Sequence, residues 1–93
     1  MAYYNTYKFR LTAHSIERAK QRLDLKNKSN LEVEIWMLNT LNNFYTFDFE
    51  DRYHFYYKVP DRYGFYFVVQ KINMLVKTVS KISDHKKIIL LNK

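Results

Sequence analysis

Apolar positions in the first half of the chain recur at helical spacing. Ala13, Ile16, Ala19 and Leu23 mark one face of a helix over residues 12–24, with Thr12 placed to cap its N-terminus. A polar stretch, Lys26-Asn27-Lys28-Ser29-Asn30, follows. Ser29 and Glu32 have the spacing of a capping box, so a second helix is predicted to run to about Asn43. Leu31, Ile35, Leu38 and Leu41 give it its period, and Glu32 and Glu34 suit the positive end of its dipole.

From Tyr45 the period changes to two. Tyr45, Phe47 and Phe49 alternate with polar residues, and Tyr53, Phe55, Tyr57 and Val59 alternate with His54, Tyr56 and Lys58. These segments read as half-buried strands joined by a turn at Glu50-Asp51-Arg52. Pro60-Asp61-Arg62-Tyr63-Gly64 makes the next turn, and residues 65–70 and 75–82 supply two more strands. The four apolar residues 88–91 fit a strand or a helix equally. The predicted fold class is therefore α+β, a single domain over residues 1–93 with two N-terminal helices packed on a twisted antiparallel sheet of about four strands.

Composition makes a core feasible at this size. A chain of 93 residues buries only about 60–65% of its unfolded surface, but nine Tyr, seven Phe and one Trp supply large areas per residue. There is no Cys, so neither a disulfide nor a thiolate metal site is available. The first residues lack the basic and apolar regions of a secretory signal, and Ala2 stands where myristoylation needs Gly. The longest apolar runs, residues 65–69 and 88–91, fall far short of the roughly 20 residues of a membrane span. These features predict a cytoplasmic protein with no membrane partner.

Charge redirects attention to an anionic partner. The net charge is +7, and it is unevenly divided. Residues 1–30 carry seven Lys/Arg against Glu17 and Asp24, residues 31–52 carry five acids against Arg52, and residues 53–93 are basic again. A basic face built from the first and last thirds would attract a polyanion, while the second helix and first hairpin would face elsewhere.

Two groups of residues could carry chemistry. His14, Arg18 and Arg22, at i, i+4 and i+8, form a basic ridge on the first helix, suited to gripping phosphate; the plainer reading is a solvated helix face. His54, Tyr56 and Lys58 share one strand face, with Arg52 and Arg62 at the flanking turns; the plainer reading is the wet side of a sheet. Metal-free RNA cleavage needs a base, an acid and cations, for which His14, Arg18, His54 and Tyr56 are the candidate catalytic residues. Arg18, Arg22, Lys58, Arg62, Lys77 and Lys81 are the candidate nucleic-acid contacts, with the interleaved Tyr63 and Tyr66 available for base stacking; the plainer reading is that most such rings fill the core. Three His without a His-x-x-x-His pair make zinc improbable, the single Gly excludes a glycine-rich nucleotide loop, and Asp48, Glu50 and Asp51 read as solvated turn residues. No metal or cofactor is implied.

Residues 11–22, Leu-Thr-Ala-His-Ser-Ile-Glu-Arg-Ala-Lys-Gln-Arg, precede a second helix and strands ending in residues 65–69 and 75–79. This arrangement resembles a family of small bacterial and phage proteins of uncharacterised function, whose typical opening is Thr-x-His-Ala-x-x-Arg-Met-x-x-Arg. That family is similar in fold to the RelE/BrnT ribonuclease toxins. The resemblance covers roughly residues 7–83. Where the family has a Gly after the second Arg, this chain has Leu23-Asp24. It implies a RelE-like fold, an RNA or ribonucleoprotein partner, mRNA cleavage without metal, and a cognate acidic antitoxin. His14, Arg18 and Arg22 are the positions that match its motif. A second expectation, from small size and AT-rich residue usage, is a phage-encoded inhibitor of host defence of the anti-CRISPR kind, acting without catalysis on a host protein or ribonucleoprotein.

Overall fold

The computed structural model describes residues 8–92. Helix α1 spans Ala13–Arg22 and α2 spans Asn30–Asn42; strands β1 (Phe49–Glu50), β2 (His54–Lys58), β3 (Phe65–Gln70) and β4 (Leu75–Lys81) follow, and α3 (Asp84–Leu91) comes last. The strands form one antiparallel sheet in the order β1-β2-β3-β4. The α+β class, the two leading helices and the four-stranded sheet are as the sequence predicts. The apolar tail, which fitted either period, is helical.

Both leading helices begin with reciprocal caps. The Thr12 hydroxyl accepts the Ser15 N–H at 3.0 Å, and the Ser15 hydroxyl accepts the Thr12 N–H at 3.0 Å. Ser15 also donates to the Thr12 carbonyl, so a fully buried hydroxyl is satisfied. Ser15, Ile16, Ala19 and Leu23 form the inner side of α1 while Ala13 lies exposed, because the first residue of the helix turns outward. Ser29 and Glu32 exchange the corresponding bonds at 3.1 and 2.8 Å at the start of α2. The backbone bond from Ser29, first, holds the Glu32 carboxyl below its usual range. α1 ends in a Schellman turn: Leu25 N–H reaches the Lys20 carbonyl at 2.9 Å, and Asp24 takes the left-handed φ of 58° that usually belongs to Gly.

Alternation along the strands divides the sheet into two faces. Tyr57, Val59, Phe67, Val69, Val76 and Val79 point to the first face and pack with Phe9, Ile16, Ala19, Leu23, Val33, Met37 and Leu41. Phe49, Tyr56, Tyr66 and Val68 point to the second, where Ile82 and Leu90 join them. α3 closes this second face lightly, since none of its residues is buried. Its anchors are Leu90, a Lys87–Asp48 ion pair at 2.9 Å, and the Lys87 ammonium 5.0 Å from the Phe49 ring centre.

The first strand is shorter than its alternation suggests. Residues 44–48 do not pair as a strand; instead Phe44 packs on Tyr57 and Phe47 stacks on Phe55 with ring centres 4.7 Å apart, while Tyr45 is fully exposed. Burying two rings against the first core outweighs continuing an edge strand. In β4 a bulge intervenes: Val68 faces Thr78 but Val69 faces Val76, which leaves Lys77 as the extra residue. Beyond β4, Arg10 makes a parallel bridge to Leu75, with bonds of 2.9 and 2.8 Å to Met74 and Val76. Among the described residues no helix is long and apolar enough to cross a membrane.

Candidate functional site

The turn between β1 and β2 gathers its side chains around Asp51. One carboxylate oxygen accepts the backbone N–H groups of Tyr53 at 2.9 Å and His54 at 2.8 Å and lies 3.2 Å from His54 Nδ1. The other accepts the Tyr56 hydroxyl at 2.6 Å. Only 14% of the Asp51 side chain is exposed. Burial pushes its carboxyl upward, but the Tyr56 hydroxyl and the two backbone donors outweigh this and hold it below the usual range. Burial, reinforced by Asp51, drives the Tyr56 hydroxyl well above its ordinary value. Tyr56 is thus a standing donor to Asp51 and not a group that exchanges its proton near neutrality. Because an ionised carboxylate only accepts, the His54 proton is assigned to Nδ1, which leaves the Nε2 lone pair free.

His54 borders two concavities. One, of about 560 Å³, is lined by Arg52, Tyr53, Gln70, Lys71, Ile72 and Lys77 as well as His54. The other, of about 530 Å³, lies between the same turn and Leu90 and Leu91 of α3. In the first, Lys71 is ion-paired with Glu50, and the Arg52 guanidinium stands 5.6 Å from the Tyr53 ring centre. Lys77, held out by the bulge, makes no ion pair among the described residues. Arg52 and Lys77 therefore leave positive charge beside an oriented imidazole and an exposed ring.

No family model, curated protein or solved structure matches the chain significantly.

The residues singled out from the sequence separate into distinct places. His14 and Arg18 meet each other on α1, with Arg18 Nε donating to His14 Nε2 at 3.3 Å, but no residue of α1 lines either concavity beside His54. Arg22 leaves the ridge, donating to the Val79 carbonyl at 2.8 Å and the Ser80 hydroxyl at 3.1 Å. Arg62 donates to the Leu23 carbonyl at 3.2 Å, where a cation complements the negative end of α1. Lys58 lies at the far end of β2 with its ammonium 5.7 Å from the Tyr63 ring centre, and Lys81 stands 6.0 Å from Phe65. Of the candidate contacts, Lys77 alone shares a concavity with His54.

Asp51, a solvated turn residue by sequence, is in the structure the hub of the site. The first hairpin, expected to face away from a polyanion, borders the basic concavity because Glu50 is neutralised by Lys71 and Asp51 is turned inward. A signal was available: an Asp opening a tight turn commonly accepts the N–H groups two and three residues on.

Proposed function

We propose that this protein binds single-stranded RNA at the concavity beside His54 and cleaves it without metal. The observation that carries this reading is the pairing of His54 with Asp51 at the edge of a hollow that also holds Arg52 and Lys77. The cations suit a phosphodiester, and Tyr53, 66% exposed, suits a stacked base. His54 Nε2 takes the 2′-hydroxyl proton, the 2′-oxygen bonds to phosphorus, and the bond to the 5′-oxygen breaks. The products are a 2′,3′-cyclic phosphate and a 5′-hydroxyl: the leaving oxygen takes its proton from water, and the hydroxide so formed recovers the proton held on His54, restoring the base. Such a base typically contributes about 10²- to 10⁴-fold. The substrate class agrees with the resemblance to RelE-type toxins, whereas the site lies on the sheet and not on the His14 and Arg18 face of α1.

Two measurements test it. RNA binding across salt concentrations should weaken steeply, and Lys77→Glu should reduce both affinity and slope. Cleavage in the presence of a chelator should fall at least 100-fold in His54→Ala with RNA binding retained. Intact RNA with the unaltered protein would remove the catalytic half of the proposal and leave a binding protein; binding insensitive to salt would remove both.

A further inference from the structure

Exposed aliphatic side chains are concentrated on two helices. Leu31 (65% exposed) and Ile35 (50%) lie on α2, and Ile88 (57%), Ile89 (48%) and Leu91 (51%) lie on α3; Ile72, in the turn after β3, stands apart. On α2, Leu31 and Ile35 stand one turn apart on the solvent side, away from the buried Val33, Met37 and Leu41, while half-buried Leu38 packs with that core. A helix that is apolar on both sides is usually covered on both sides. On α3, Leu90 packs against the sheet and Lys87 pairs with Asp48, which turns Ile88 and Ile89 outward.

The charges beside the two patches are opposite. α2 carries Glu32 and Glu34 and no Lys or Arg. α3 carries His85 and Lys86 beside its outward residues, while its Asp84 is approached by the Tyr63 hydroxyl at 3.4 Å. Pairing α2 with α2 would set carboxylates together, and pairing α3 with α3 would set ammonium groups together. Each patch is therefore better matched by the other than by itself.

We propose that the protein self-associates head to tail, the outward patch of α2 in one copy docking on the outward face of α3 in the next. The two helices lie on opposite faces of the sheet, so the contact is heterologous: each copy keeps one unused patch after the first pairing, and assembly continues until a ring closes or a chain grows. This inference is independent of RNA binding, since neither patch includes His54, Arg52 or Lys77.

Sedimentation velocity on the whole protein, from low to high micromolar concentration, tests it with Ile35→Glu and Ile88→Glu. The unaltered protein should exceed the mass of a dimer at high concentration, and each variant alone should stay monomeric. An equimolar mixture of the two variants should give a species of twice the monomer mass and nothing larger, because it retains one intact α2 patch and one intact α3 patch. Both positions are exposed, and circular dichroism with thermal unfolding checks the fold; if a Glu variant is unfolded, Ile35→Gln and Ile88→Gln replace the pair. An unaltered protein that remains monomeric, a dimer insensitive to either substitution, or a mixture without a heterodimer would each overturn the proposal.

Discussion

Val68 and Val69 are neighbours on β3, and they belong to different environments. Val69 faces the layer of α1 and α2 with no exposed surface, and Val68 faces the side covered only by α3 with 8% exposed. The first face is fully buried at its centre, where Phe67, Val69, Val76 and Val79 meet the two helices. The second is built from Phe49, Tyr56 and Tyr66, whose hydroxyls and ring faces take up Asp51 and Lys87. One side of the sheet thus secures the fold, which frees the other to hold polar groups in fixed positions at its open end.

This contrast is sharpest when the two valines are truncated in turn. Val69→Ala should cost about 2 kcal/mol, the transfer of two carbons with a residual cavity, and Val68→Ala about 1 kcal/mol, because α3 can settle toward the gap. Urea unfolding midpoints measure both, and equal losses would mean that the two faces contribute alike.

Asp51→Asn acts on the second face alone. Its charge-assisted bonds become neutral ones, and the stability lost should be about 1 kcal/mol. The sign of the pH effect follows from the depressed carboxyl. The unfolded chain takes up a proton near the ordinary 3.8, before the folded one does, so stability from Asp51 is complete above that value and declines as pH falls through the lower folded value. Acid unfolding monitored by tyrosine fluorescence should therefore show a shallower pH dependence in Asp51→Asn below about pH 4. An unchanged slope would place the acid sensitivity elsewhere.

Asp24 lies on neither face and gives the smallest effect. At φ 58° it occupies the turn that ends α1, so Asp24→Gly should gain roughly 0.5 kcal/mol in thermal unfolding. A loss would show that the carboxylate itself, and not the backbone angle, is what that turn requires.

Local patterns in the sequence announced most of the fold. Thr12 and Ser29 declared the helix starts because a cap is a matter of a few neighbouring residues, and the continuous apolar run closing on Gln70 matched β3 to the residue. The first hairpin strand misled, since Phe47 could alternate in a strand or turn inward to stack on Phe55, and only the position of β2 decides. The site was half visible. His54 and Tyr56 share a strand face, as their spacing requires, but Arg22 and Arg62, candidate nucleic-acid contacts by sequence, donate to carbonyls that lie 57 and 39 residues away. The ridge expected on α1 loses Arg22 for that reason, while His14 and Arg18 stay together on the helix.

The order β1-β2-β3-β4 also sets what each strand pairing costs in chain entropy. Successive strands pair with one another, so each pairing closes a loop of only a few residues at small entropic cost. The bridge from Arg10 to Leu75 is different, since it closes a loop spanning most of the chain. A single bridge with two backbone bonds on the outer edge of β4, it is a latch on the sheet and the first element expected to fray when the molecule opens.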